Sequence, residues 1–179
     1  NHPEIEHGEM VIFFTTDEEI GHGVDHVNKQ KLDADFGYTL DGGPVGSLED
    51  ETFSADACTI KIKGVSTHPG YAKGKMENAI KIAGEILAAL PKSRMSPEST
   101  DDYEGFVHPT RLEGNLEHAE IDFIIRDFVT AKLDDHVAEL TSICQQVMKS
   151  FPNSGFEISR NEQYRNMKEV LDSVPFVTE

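Results

Sequence analysis

Basic residues are scarce in this chain. Lys and Arg total 16 against 33 Asp and Glu, a formal net charge of −17. That balance repels phosphate backbones and anionic lipid headgroups, which argues against nucleic-acid and membrane partners. An acidic surface also suits peptide ammonium groups, although solubility alone accounts for it. Cysteine is scarce too: Cys58 and Cys144 stand far apart, one in an expected strand and one in an expected helix, with neither a disulfide framework nor a Cys-x-x-Cys site. Such thiols fit reduced, buried residues of a cytoplasmic protein. No apolar run approaches bilayer-spanning length, and there are no repeats or low-complexity linkers. What remains is a globular composition, 179 residues with 37% hydrophobic and 27% charged, enough for one domain or a large piece of two. The chain opens on Asn1, without methionine and just ahead of an expected strand, as an internal segment would.

Two acidic turns each follow a short apolar run. Met10, Val11, Ile12, Phe13 and Phe14 read as a strand buried on both faces, and Asp17, Glu18 and Glu19 follow it. Residues 37–40 read as a second strand, ending on Asp41 before Gly42 and Gly43. In an open α/β sheet the functional crevice lies at the carboxyl ends of the strands, where both clusters fall. Gathered carboxylates repel one another, and a divalent cation relieves that. The competing account of residues 17–19 is a helix N-terminus, where acids favour the macrodipole. His22 and His26, four apart, would share a helical face, but Gly23 weakens a helix there and no third ligand matches. His2, His7, His108, His118 and His136 fall in no constellation and are expected at the surface.

From Thr52 onward the pattern becomes a compact α+β unit. Residues 53–63 alternate as a half-exposed strand, and 78–90 carry an apolar stripe of helical period stopped by Pro91. Residues 105–114 and 117–128 read as adjacent strands around Asn115. Residues 130–151 form a second amphipathic helix with Thr130 as N-cap, and 155–163 a last strand. The order β-α-β-β-α-β fits a ferredoxin-like sandwich, a four-stranded antiparallel sheet with both helices on one face. Within it, Arg126 interrupts an apolar strand, so it either pairs with a neighbour such as Asp127 or is presented to a ligand. A guanidinium grips a carboxylate with two parallel bonds, which suits a peptide C-terminus. Asn78 serves as N-cap or adds a polar contact to a ligand, and His68 is by itself an exposed turn histidine.

The words Thr-Thr-Asp-Glu-Glu-Ile-Gly at 15–21, Tyr-Thr-Leu-Asp-Gly-Gly at 38–43 and His-Pro-Gly at 68–70 resemble the co-catalytic two-zinc peptidase clan. Tyr-Glu-Gly-Phe at 103–106, Ile-Ile-Arg-Asp-Phe at 124–128 and Asn-Met at 166–167 resemble its tripeptide aminopeptidases, the peptidase T family. The resemblance implies a partial α/β catalytic domain at 1–51, a lid or dimerisation domain at 52–164 and a return to the catalytic domain at 165–179. It implies that Glu18 is the general base and that Glu19 and Asp41 each bind one of two zinc ions. His68 would donate to the oxyanion, and Arg126 with Asn78 would contact the substrate. Tripeptides are the implied substrates and a homodimer through the lid the implied assembly.

The chain departs from the clan pattern in one respect. An upstream His-x-Asp, a bridging Asp and a downstream histidine have no match here, so weak zinc binding and an inactive isolated chain are expected. The alternatives are another clan activity (dipeptidase, carboxypeptidase or N-acyl amidohydrolase) and a non-catalytic dimerisation module.

Overall fold

The computed structural model describes residues 4–178, so Asn1 and His2 lie outside the described residues. The chain divides into two units, Asn1–Ser47 and Leu48–Glu179.

The first unit holds a 3₁₀ turn, Glu18–Ile20, and a four-residue helix α1 (Lys29–Leu32), started by Asn28, whose side chain accepts from the Lys31 N–H at 3.2 Å. The strands expected at 10–14 and 37–40 do not form, and their apolar side chains are exposed; Phe14 is 88% and Leu40 97% accessible. The reason is that a strand needs a ladder. Backbone N–H and C=O groups must find partners, and among the described residues of this unit there is no second strand to supply them. Apolar composition gives strand propensity; only a neighbouring strand turns it into a sheet.

The second unit contains β1 (Ser54–Lys63), α2 (Ala79–Ala89), β2 (Phe106–Gly114), β3 (His118–Asp127), α3 (Lys132–Met148), β4 (Gly155–Tyr164) and a short α4 (Lys168–Leu171). The sheet order is β2-β3-β1-β4, with every neighbouring pair antiparallel, which is the ferredoxin-like sandwich expected from the sequence. Ile60 faces Ile121 on one side and Ile158 on the other. Alternation then sends Cys58, Ile60, Ile62, Ile121, Phe123 and Ile125 to one face, where Ile82, Ala83 and Ile86 of α2 and Leu133, Leu140 and Cys144 of α3 meet them. Each fully buried large side chain there contributes about 1.5–3 kcal/mol. The helical stripes and Pro91 and Pro152 place both helices as expected.

Helix α3 starts two residues later than its predicted N-cap. The Thr130 hydroxyl makes no cap; it bonds the Ser54 hydroxyl at 2.6 Å and the Glu169 carboxylate. That contact belongs to a clasp at the base of the unit. Asn166, 3% exposed, donates to Glu51 Oε1 at 3.1 Å and to the Phe128 carbonyl at 3.0 Å. Its Oδ1 accepts the Thr52 and Lys168 N–H groups at 3.1 and 3.0 Å. All four capacities of one side-chain amide are used, so the segments entering and leaving the sandwich are tied together.

Candidate functional site

The acidic turns of the first unit are solvent-exposed. Glu18 and Glu19 occupy the Glu18–Ile20 turn, entered through Asp17 at φ 61° and left through Gly21 at φ 78°. The three-residue turn leaves both carboxylates in the first turn of a helical element, so the cap account and the ligand account draw on the same geometry. Asp41 Oδ1 accepts the Gly42 N–H at 2.6 Å. His22 pairs instead with Asp25, Nδ1 to Oδ2 at 2.7 Å. Among the described residues no group of three or more His, Cys, Asp or Glu stands where it could hold a metal ion.

In the second unit His68 precedes a 3₁₀ turn, Pro69–Tyr71, and is exposed. Its Nδ1 accepts the Gly70 N–H at 3.1 Å. In the neutral ring the proton therefore sits on Nε2, which is left as a donor. Asn78 is the N-cap of α2, accepting from Ile80 and Lys81 N–H at 2.9 and 3.4 Å. Capping occupies its Oδ1, and its Nδ2 is the group left for any ligand.

Arg126 and Asp127 point to opposite faces of β3, because successive strand residues alternate. Asp127 turns to the helix face, 2% exposed, and its Oδ2 lies 2.9 Å from His136 Nε2 of α3 while its Oδ1 accepts the Val129 N–H at 2.9 Å. This removes the pairing of Arg126 with Asp127, and it corrects the surface expectation for His136, whose side chain is 15% exposed. Period-two alternation already separated the two neighbours; nothing in the spacing of His136 announced its partner. Arg126 lies on the open face. Its guanidinium stands 5.8 Å from the Tyr164 ring centroid, and its buried Nε has no hydrogen-bond partner. Beside it runs an aromatic chain: Phe106 against Phe53 (5.6 Å), Phe53 against Phe128 (4.1 Å) and Tyr103 against Phe128 (4.6 Å).

Both Cys58 and Cys144 are buried in the core, and burial pushes their thiols up to about 11 and about 12. They are inert as nucleophiles.

Residues 51–152 match the family model of the peptidase dimerisation domain. The chain belongs to that family. Peptidase T of Clostridium botulinum (strain Okra / Type B1) is 40% identical over 179 residues, covering all of this chain and 44% of its own length. Peptidase T of Listeria welshimeri serovar 6b is 43% identical over 174 residues, covering 97% of this chain and 42% of its own. The chain thus spans less than half the length of these relatives. Among solved structures, aminopeptidase PepT from Bacillus cereus ATCC 10987 superposes with a TM-score of 0.66 at 25% identity, over 85% of this chain and 41% of that one. A tripeptidase from Staphylococcus aureus superposes with a TM-score of 0.67 at 18% identity, over 90% of this chain and 46% of that one, and shares the fold. The matched residues hold β1, α2, β2, β3 and α3 of the sandwich and end before β4. No helix of the described residues is long and apolar enough to cross a membrane.

Proposed function

We propose that the chain is the central segment of a zinc-dependent tripeptide aminopeptidase, acting in the cytoplasm and assembling as a homodimer through the sandwich. The observation that carries this reading is 40% identity to a peptidase T along all 179 residues, the acidic turns included. Two buried free thiols support a reducing compartment. The segments flanking 52–164, residues 1–51 and 165–179, would belong to the catalytic domain.

Zinc takes four ligands at a structural site and three plus water at a catalytic one. Glu19 and Asp41 would each supply one ligand to a different ion. The described residues by themselves therefore do not fit a zinc site. The isolated chain should retain no stoichiometric zinc after dialysis.

The remaining roles rest on the chain's own groups. Glu18 takes the proton of the attacking water and returns it to the leaving amine. His68, with its Nε2–H free, donates to the oxyanion. Arg126 grips the substrate's terminal carboxylate and so restricts substrates to short peptides, with the Asn78 Nδ2 as a further polar contact.

The test is tripeptide hydrolysis by the whole gene product that contains this chain. Glu18→Gln should lower kcat at least about a hundredfold. An unchanged kcat, or a parent that leaves tripeptides intact, overturns the reading.

A further inference from the structure

One row crosses all four strands at an end of the open face. Phe106 of β2 is the cross-strand partner of Arg126 in β3, Arg126 of Ala55 in β1, and Ala55 of Tyr164 in β4. Directly opposed residues project to the same side of a sheet, here the side away from α2 and α3, since the neighbours Val107 and Ile125 enter the core with the helices. Ala55 is nevertheless 0% exposed. On a face that neither helix covers, a methyl group is hidden by the side chains beside it. The Arg126 guanidinium lies 5.8 Å from the Tyr164 ring centroid, two strands away, so the arginine leans across Ala55 to the ring. A larger residue at 55 would stand in that path. The row contains no carboxylate, and the neighbouring Asp127 is engaged by His136 on the other face. The buried Nε without an acceptor is the mark of a guanidinium held by packing rather than by an acid of its own chain.

We propose that Tyr164, acting across Ala55, is a positioning residue that holds Arg126 ready for a peptide's free carboxylate. The proposal rests on Arg126 as the carboxylate anchor. An arginine laid against an aromatic ring has its fork confined before the ligand arrives, so less freedom is lost on binding. Phe106, the cross-strand partner of Arg126 on β2, packs edge-on against Phe53, so the arginine's aromatic contact is with Tyr164.

The experiment follows the Arg126 Nε–H resonance and the backbone amides of β3 and β4 by ¹⁵N NMR in the metal-stripped whole gene product that contains this chain, during titration with trialanine and with trialanine amide. The backbone amides read binding in Arg126→Met. Trialanine should shift the resonance and the amide should not. Tyr164→Leu should weaken trialanine binding about two- to fivefold, while Tyr164→Phe, which keeps the ring, should bind as the parent does. Tyr164 is 42% exposed, so neither change opens the core. If Tyr164→Leu binds as tightly as the parent while Arg126→Met loses binding, the positioning role is overturned and the anchor stands. If the parent's resonance ignores trialanine, or Arg126→Met binds unchanged, the anchor itself is overturned.

Discussion

Gly105 shows at the scale of one residue why a sequence word can be specific. A Cβ there would overlap Asp127 Oδ2 and His136 Nε2 and come within 2.7 Å of the Arg126 carbonyl oxygen. The glycine of Tyr-Glu-Gly-Phe thus makes room for the aspartate of Ile-Ile-Arg-Asp-Phe, and the two words are one piece of packing. Gly105→Ala should destabilise the sandwich by about 2–3 kcal/mol, because the crowding falls on backbone and on the hydrogen-bonded Asp127–His136 pair, which packing holds in place. Denaturant melts of the chain and its variant give the difference; equal midpoints would refute the clash. The glycine and aspartate were visible in the sequence, but the histidine that joins them was not, since its nine-residue separation from Asp127 matches no strand or helix period.

At the scale of elements, β3 and its neighbours carry the acid sensitivity. Asp122 accepts from Thr59 Oγ1 at 2.7 Å and from Arg111 Nη1 at 2.6 Å, and these bonds hold its carboxyl below the ordinary aspartate range. The Arg94 guanidinium does the same for Glu139 of α3. Both pKa values are lower in the folded chain than in the unfolded one. Their stabilisation is therefore complete above the unfolded values near 4 and is lost as the pH falls through the folded ones. Thr59→Val should lower the melting temperature at pH 7 and flatten its decline below about pH 4. Thermal melts between pH 2.5 and 7 measure this, and parallel curves for parent and variant would exclude the Thr59 contribution. Elements of the sandwich were legible because each has its complement within the chain: the alternation of β1 meets β3 and β4, and the stripes of α2 and α3 meet the face they create. Residues 10–14 had as clear an apolar signal and no ladder to join.

At the scale of the whole molecule, the two units differ in how far they satisfy themselves. The second has a closed core and the Asn166 clasp at its base. The first exposes Met10, Val11, Ile12, Phe13 and Phe14 in succession, a segment rich in β-propensity and without charge, which is the composition of an aggregation site. A chain reduced to residues 48–179 should stay monodisperse at concentrations where the 179-residue chain scatters light; equal scattering would locate the hazard elsewhere. Local sequence determined the sandwich, through periods of two and 3.6 residues, prolines that stop helices and an Asn that starts one. It also displayed every proposed chemical group, from Glu18, Glu19 and Asp41 to His68, Asn78 and Arg126. Only tertiary structure decided which neighbours Arg126 meets on the open face, that Asp127 belongs to His136, and that the apolar run at 10–14 finds no strand. Periodicity is a property of consecutive residues, whereas ion pairs, ring contacts and ladders depend on chain segments that meet only after folding.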